Sequence, residues 1–180
     1  MAGADHIRCF VALDLPVAFR EEAVCAQESL RKLNLFQGKF TAPENIHLTL
    51  KFLGEITRDQ TDGVIDELKN LKEPIREVQL KGAGMFAPQI IWLKLASADT
   101  FQQKVDTVLS DLFVPEPRFM GHITIARVKT TSNLRALADT VQGLKIAPIS
   151  EHATSFSLLR SVLNPEGPVY EVLERFNLTR

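Results

Sequence analysis

A tetrad of histidine, apolar residue, threonine and apolar residue occurs twice in this chain, as HLTL from His47 and as HITI from His122. The two histidines lie 75 positions apart, and so do Thr49 and Thr124. Apolar residues alternate with polar ones through each tetrad, which indicates a β-strand with one buried face. Because successive side chains of a strand point to opposite faces, each strand presents its histidine and its threonine together on one face.

The segments around the tetrads follow the same order in both halves of the chain. Strands are predicted at 6–15, 75–86, 90–96 and in a C-terminal hairpin, and helices at 17–34, 57–72, 100–113 and 133–142. Thr57 and Ser132 each follow a tetrad histidine by ten positions, and both are predicted to be helix N-caps. The order of strand, helix, tetrad strand and capped helix therefore predicts an internal structural repeat.

The charge balance limits the partners of the chain. There are 21 Lys and Arg against 22 Asp and Glu, a net charge of −1, so no strong positive field can hold a long phosphate backbone. A nucleic acid would be bound locally, at an end. Because no run of about 18 apolar residues or signal peptide occurs, we expect no membrane contact and a cytoplasmic location. Cys9 and Cys25 are predicted to be buried free thiols.

Two histidines and two threonines on equivalent strands suit acid-base chemistry on a phosphodiester. An imidazole has an unperturbed pKa of about 6.5, so one can accept a proton while the other donates one. Threonine hydroxyls can donate hydrogen bonds to a developing oxyanion. A single HLTL would be read as a strand with polar residues turned to solvent. Two copies at matching places favour catalysis instead.

A zinc site is the other chemistry that a histidine pair suggests. Zinc takes three or four protein ligands, and neither histidine is accompanied by a carboxylate or thiol at suitable spacing. No metal or other cofactor is therefore expected. His6 and His152 lie outside any motif and are expected to be structural or surface residues.

With these motifs the chain resembles the two-histidine phosphoesterase superfamily, which is defined by paired His-x-Thr-x motifs. Within it, the chain is most similar to the bacterial and archaeal RNA 2′,3′-cyclic phosphodiesterases, historically named 2′-5′ RNA ligases. The segments that carry the likeness are RCFVALDLP, ENIHLTLKFLGE, GHITIARV and GPVYEVLERFNL. The resemblance implies an α+β fold of two pseudo-symmetric lobes in a single bilobal domain over 1–180. Each lobe is an antiparallel sheet flanked by helices, with the active site in the central cleft.

The resemblance also implies metal-independent hydrolysis of an RNA 2′,3′-cyclic phosphate to a 2′-phosphate. His122 is expected to act as the general base and His47 as the general acid. Thr49, Thr124 and Arg127 are expected to bind the phosphate. Partners would be RNA 3′ ends or small cyclic-phosphate nucleotides, and the protein is expected to be a monomer.

Strict strand alternation predicts two side-chain directions that bear on this site. It places Arg127 on the face opposite His122, so its guanidinium reaches a phosphate only where the strand bends or bulges. It places Lys51 on the face of His47, where we interpret it as a solvated flanking residue.

An unpaired RNA end is expected to stack on an aromatic ring. Phe10 and Tyr170 are the preferred candidates, and the others are Phe40, Phe86 and Phe119. Two alternatives remain for the function as a whole. The same site could join RNA ends through a 2′-5′ linkage, or the chain could be a binding module for nucleotides or RNA ends without chemistry.

Overall fold

The computed structural model describes residues 6–74, 76–165 and 167–179. In these residues it contains four α-helices and nine β-strands. In chain order they are β1 (Ile7–Leu13), α1 (Val17–Leu33), β2 (Gln37–Phe40), β3 (Leu48–Ile56), α2 (Arg58–Lys69), β4 (Arg76–Phe86), β5 (Ile90–Ala96), α3 (Asp99–Val108), β6 (His122–Thr130), α4 (Leu134–Gln142), β7 (Ser150–Ala153), β8 (Ser155–Asn164) and β9 (Gly167–Asn177). None of these helices is long and apolar enough to span a membrane.

The nine strands form one antiparallel sheet in the order β7-β4-β5-β6-β3-β1-β8-β9, and β2 pairs with β6. The two tetrad strands, β3 and β6, are neighbours at its centre. β7 and β8 are separated only by Thr154, so one extended segment pairs with β4 and then with β1, which curls the sheet. The predicted α+β class with two similar halves is confirmed, and the sheets of the two halves are continuous.

The helices exchange partners between the halves. α1 follows the first strand of the first half but packs against β6, whereas α3 precedes β6 but packs against β3. Phe19 and Leu30 of α1 and Phe101 and Val105 of α3 belong to a single buried core. Each tetrad strand is therefore supported from below by a helix of the other half, which leaves the opposite face of the sheet open.

The helix ends confirm one predicted cap and correct another. Thr57 and Gln60 form the expected reciprocal capping box at the start of α2. The prediction of Ser132 as the cap of α4 is wrong, because the side chain of Asn133 accepts the hydrogen bond from the Ala136 amide. α3 ends at Val108, whereas the prediction extended it to 113. Just after Val108 the hydroxyl of Ser110 donates to the Thr107 carbonyl oxygen, and local turns replace the helix.

The two cysteines differ in environment. Cys9 is fully buried in β1, and this burial raises the pKa of its thiol to about 11. Cys25 is exposed, so the prediction of a buried thiol there is wrong. Ala23 and Ala26 take the buried positions of α1 on either side of it.

Candidate active site

The two tetrads meet at the centre of the sheet. Leu48 of β3 pairs with Ile123 of β6 in antiparallel register. In antiparallel register the next positions on either side of this pair also lie opposite each other. His47 is therefore opposite Thr124, and Thr49 is opposite His122. An approximate two-fold axis therefore passes between Leu48 and Ile123. All four predicted polar residues lie beside it, on the face opposite the buried Leu48 and Ile123 side chains.

Both imidazoles are oriented by the same local hydrogen bond. The ring Nδ1 of His47 lies 2.7 Å from the Asn45 carbonyl oxygen, and that of His122 lies 2.8 Å from the Met120 carbonyl oxygen. Because a carbonyl oxygen only accepts, Nδ1 carries the hydrogen in each ring. The Nε2 of each neutral ring is then free to accept a proton, which is the form a general base requires.

His47 is further held by its neighbours. Its Nε2 lies 3.0 Å from the hydroxyl oxygen of Thr49, which donates to the neutral ring. Asn45, whose carbonyl oxygen accepts from this histidine, also donates its side-chain amide to the Pro168 carbonyl oxygen at 2.7 Å. Asn45 thus connects His47 to the C-terminal hairpin. It is a positioning residue that the motif analysis missed, although it lies only two positions before the first tetrad.

The environment of His47 favours its neutral form. Burial lowers the pKa of this imidazole, and the positive charges of His122 and Arg127 lower it further, while the hydrogen bond to Asn45 raises it. The register of β3 and β6 sets His122 and His47 on the same face of the sheet. The two histidines lie on neighbouring strands, an arrangement suited to carrying one proton between them.

A β-bulge turns Arg127 toward this cleft. Ala126 pairs with Ile91 and Thr124 pairs with the next residue of β5, so the pairing passes over Ile125. Ile125 and Ala126 are both fully buried, which reverses the alternation after them. The exposed Arg127 therefore shares a face with Thr124, and strict alternation was the wrong guide to its direction.

A matching bulge in β3 overturns the prediction for Lys51. Val11 pairs with Lys51 and Ala12 pairs with Thr49, so the pairing passes over Leu50. Lys51 consequently turns to the core side, where it is 4% exposed and forms an ion pair with Asp106 of α3. It neither shares the face of His47 nor lies in solvent, so both predictions for it are wrong.

Each bulge is stabilised by a buried polar contact with the helix beneath it. The side-chain amide of Gln27, on α1, donates to the carbonyl oxygens of Ile125 at 2.8 Å and Thr41 at 2.7 Å. In the other half, Lys51 pairs with Asp106 and donates to the Val114 carbonyl oxygen at 2.8 Å. The exchanged helices thus stabilise the two irregularities that shape the cleft.

Aromatic rings flank both histidines. The ring of Phe10 lies 4.9 Å and the ring of Tyr170 5.1 Å from the His47 ring, measured between centroids. The ring of Phe86 lies 5.2 Å from the His122 ring in an edge-on arrangement. Phe10 is only 4% exposed, whereas Phe86 is 41% exposed. Phe10 therefore mainly supports His47, and the choice of stacking ring stays a prediction.

The remaining candidates lie apart from the histidines or support them indirectly. Phe40 packs under the guanidinium of Arg31, and Phe119 packs against the core. Trp92, which the sequence analysis did not single out, packs against Phe86 at 5.3 Å. A side chain at Gly84 would come within 2.3 Å of the Trp92 ring, which explains the glycine opposite it.

Residues 6–74, 76–165 and 167–179 contain no group of three His, Cys, Asp or Glu side chains that could hold a metal ion. His6 and His152 are both exposed, as expected for residues outside the motifs. The predicted groups that the structure brings together in the cleft are two imidazoles, two threonine hydroxyls and one guanidinium.

Residues 13–92 and 96–170 match the family described as LigT-like phosphoesterase. An RNA 2′,3′-cyclic phosphodiesterase of Methanothermobacter thermautotrophicus is 32% identical over 96% of this chain and 99% of that relative. These matches span both tetrads.

Solved structures are similar over the same extent. A crystal structure of a protein from Thermus thermophilus superimposes with a TM-score of 0.79 and 27% identity, covering 96% of this chain and 98% of that one. The Escherichia coli LigT complexed with ATP has a TM-score of 0.74 and 25% identity, covering 97% of this chain and 99% of that one. The likeness therefore includes the sheet and the cleft as one unit.

Proposed function

This chain belongs to the LigT-like phosphoesterase family, as the paired motifs predicted, and we propose that it hydrolyses the terminal 2′,3′-cyclic phosphate of RNA to a 2′-phosphate. The observation that carries the proposal is the central pairing of Leu48 with Ile123, which sets two histidines and two threonines around one axis. The name of the Methanothermobacter relative supports the enzyme class.

In the proposed reaction His122 takes a proton from water as the water oxygen bonds to phosphorus. The bond from phosphorus to the ribose 3′ oxygen breaks, and His47 donates its proton to that oxygen. Thr49 and Thr124 donate hydrogen bonds to the non-bridging oxygens, whose negative charge grows in the transition state. Arg127 offers a guanidinium fork to the same oxygens. The product keeps its phosphate on the 2′ oxygen.

The role of acid requires His47 to be protonated, although burial lowers its pKa in the free protein. The negative charge of the cyclic phosphate offsets that effect, because an anion within about 4–6 Å favours the imidazolium. Substrate binding would therefore supply the protonated His47 that the leaving oxygen needs. No step in this scheme calls for a metal ion. We further propose that the protein acts as a monomer in the cytoplasm.

The proposal is tested with an RNA oligonucleotide that ends in a 2′,3′-cyclic phosphate, in buffer containing EDTA. Phosphorus NMR should show a 2′-phosphate product, and His47→Ala and His122→Ala should each lower kcat/KM by a factor of about 10³ or more. His152→Ala, at an exposed histidine of β7, is the matched control and should keep its activity. A 3′-phosphate product, or full activity in either tetrad variant, would contradict the proposal.

A second candidate is the joining of RNA ends through a 2′-5′ linkage. In that reaction a 5′-hydroxyl replaces water, loses its proton to the base and displaces the 3′ oxygen. The exposed ring of Phe86 beside His122 favours it, because a nucleoside could stack there on the side of the attacking group. Adding an RNA with a free 5′-hydroxyl and measuring joined against hydrolysed product separates the two reactions.

A non-catalytic binding module is the remaining alternative. Two imidazoles oriented by the same backbone contact are not needed for binding alone. Tight binding of adenine nucleotides without turnover of any cyclic phosphate would favour this alternative.

A further inference from the structure

We propose that Phe52 and Arg8 bind the nucleotide on the 5′ side of the one that carries the cyclic phosphate, so that the chain acts on RNA oligonucleotides in preference to cyclic mononucleotides. This inference rests on the proposed function. It concerns the length of the substrate rather than the chemistry at phosphorus.

The bulge at Leu50 determines the position of Phe52. Phe52 lies five positions after His47, as Arg127 lies five after His122, and a bulge precedes each of them. The two residues are therefore counterparts about the central axis. Because the bulge reverses the strand alternation, Phe52 lies on the face of the sheet that carries His47 and Thr49.

Phe52 differs in exposure from Phe10, its partner on the neighbouring strand. It pairs in register with Phe10, whose ring contacts the His47 ring, yet Phe52 is 54% exposed while Phe10 is buried. An exposed phenylalanine is not rare by itself. An exposed ring on the tetrad strand, opposite the Phe10 that contacts His47, offers a π face to a base that leaves the cleft, and stacking tolerates any base.

Arg8 supplies the charge that a neighbouring phosphate requires. Its guanidinium carbon lies 4.9 Å from the centre of the Phe52 ring. A guanidinium that stacks on a ring by its face keeps its N–H edge for an anion. Arg8 is also exposed, so this edge is accessible to a phosphodiester.

Arg8 is connected to the cleft through β1. It lies two positions before Phe10, whose ring lies 4.9 Å from the His47 ring. Arg127, the contact proposed for the cyclic phosphate, lies on β6, on the other side of the central axis. The charges of Arg127 and Arg8 both lower the pKa of Tyr170, against the burial that raises it. Arg8 also lines a cavity of about 270 Å³, together with Glu55, Arg160 and Ser161.

This local path suits a chain whose net charge is −1. Without a general positive field, affinity for RNA must come from a few contacts near the end of the strand. One ring and one guanidinium provide such contacts for the second nucleotide. Neither contact forms a base-specific hydrogen bond. The enzyme is therefore expected to prefer longer RNA substrates but not a particular base sequence.

The test compares kcat/KM for cytidine 2′,3′-cyclic phosphate with that for a trinucleotide ending in the same residue. The wild-type ratio of trinucleotide to mononucleotide should be well above one. Phe52→Ala should lower this ratio about tenfold, the effect of losing one stacked base. Phe52→Tyr should restore the ratio, because its ring still stacks. Val17→Ala, at an exposed apolar residue of α1, is the control and should leave the ratio unchanged.

Arg8→Gln should lower the same ratio and weaken the salt dependence of kcat/KM for the trinucleotide. The slope of log kcat/KM against log salt should fall in magnitude by about 0.7, the value for one phosphate contact on a single strand. Arg58→Gln, at an exposed arginine of α2, is the matched control.

The outcomes separate the inference from the proposed function. If the mononucleotide and trinucleotide are both inert, the proposed function fails. If both are hydrolysed with a wild-type ratio near one, or with a ratio that Phe52→Ala leaves unchanged, the inference fails and the function stands.

Discussion

The side-chain amide of Gln27 donates a hydrogen bond of 2.8 Å to the carbonyl oxygen of Ile125, a residue 98 positions away in the sequence. Ile125 is the residue that the pairing with β5 passes over, in the bulge that turns Arg127 toward the histidines. Gln27 is buried and also donates to the Thr41 carbonyl oxygen. A helix of the first half thus stabilises the bulge that directs Arg127, the residue proposed to bind phosphate, in the second half.

Gln27→Leu should therefore affect both stability and catalysis. Losing one buried and one partly buried hydrogen bond should lower the free energy of unfolding by about 2 kcal/mol, measured by urea denaturation. kcat/KM should fall about tenfold because Arg127 is no longer held in place. In an Arg127→Ala background the substitution should still destabilise the protein but cause little further loss of kcat/KM. Equal catalytic losses in both backgrounds would show that Gln27 does not act through Arg127.

Arg127→Gln should raise the pKa of His47. The guanidinium lowers this pKa in the native protein, so its removal makes the imidazolium less unfavourable. NMR titration of the His47 ring measures the change directly. Arg135→Gln, in α4, is the control and should leave the pKa of His47 unchanged. A pKa of His47 that is the same with and without Arg127 would contradict their proximity in the cleft.

His47 should make the stability of the protein depend on pH. Its native pKa lies below the ordinary value of 6.5, so near and below pH 6.5 the unfolded chain binds more protons than the native one. The free energy of unfolding should therefore decrease as the pH falls through 6.5 and be regained as it rises. His47→Asn, which removes the titrating group, should flatten this dependence between about pH 7 and 5. An identical pH profile in the variant would refute the effect.

Lys51→Met should destabilise the protein strongly. It leaves the buried carboxylate of Asp106 without its cation, and such a loss costs about 3–5 kcal/mol. The double variant Lys51→Met with Asp106→Leu should recover most of this stability, because no buried charge remains unpaired. Urea denaturation of the three proteins measures both effects. A double variant no more stable than the single one would show that the loss of stability does not come from the unpaired carboxylate of Asp106.

The roles of the two histidines can be separated with a substrate in which sulfur replaces the 3′ oxygen. A thiolate leaves without being protonated, since its pKa lies far below that of an alcohol. With the proposed assignment, His47→Ala should recover much of its lost rate on this substrate, and His122→Ala should not. Recovery by His122→Ala instead would reverse the assignment.

Several features of the site were predictable because they are local. The alternation within each tetrad puts histidine and threonine on one face, and the equal spacing of the two copies predicts equivalent strands. The capping box at Thr57 depends on residues only three positions apart. The carbonyl contact of each imidazole is equally local, two positions before it, although the sequence analysis did not predict it.

The two side-chain directions that strict alternation misplaced share one physical cause. Strict alternation misdirected both Arg127 and Lys51, because each follows a bulge that only the pairing with a neighbouring strand reveals. The sequence did indicate that Phe52 is equivalent to Arg127, because each lies five positions after the histidine of its tetrad. That signal could be interpreted only after the bulges were known.

The sequence by itself determined which groups can do chemistry in this protein, two imidazoles and two hydroxyls on equivalent strands, because strand alternation and motif spacing are properties of short segments. The tertiary structure decided how these groups meet, through the pairing of Leu48 with Ile123. It also decided which flanking side chains face the cleft and the direction in which the pKa of His47 shifts. Those outcomes depend on burial and on contacts between segments far apart in the chain, which no local pattern encodes.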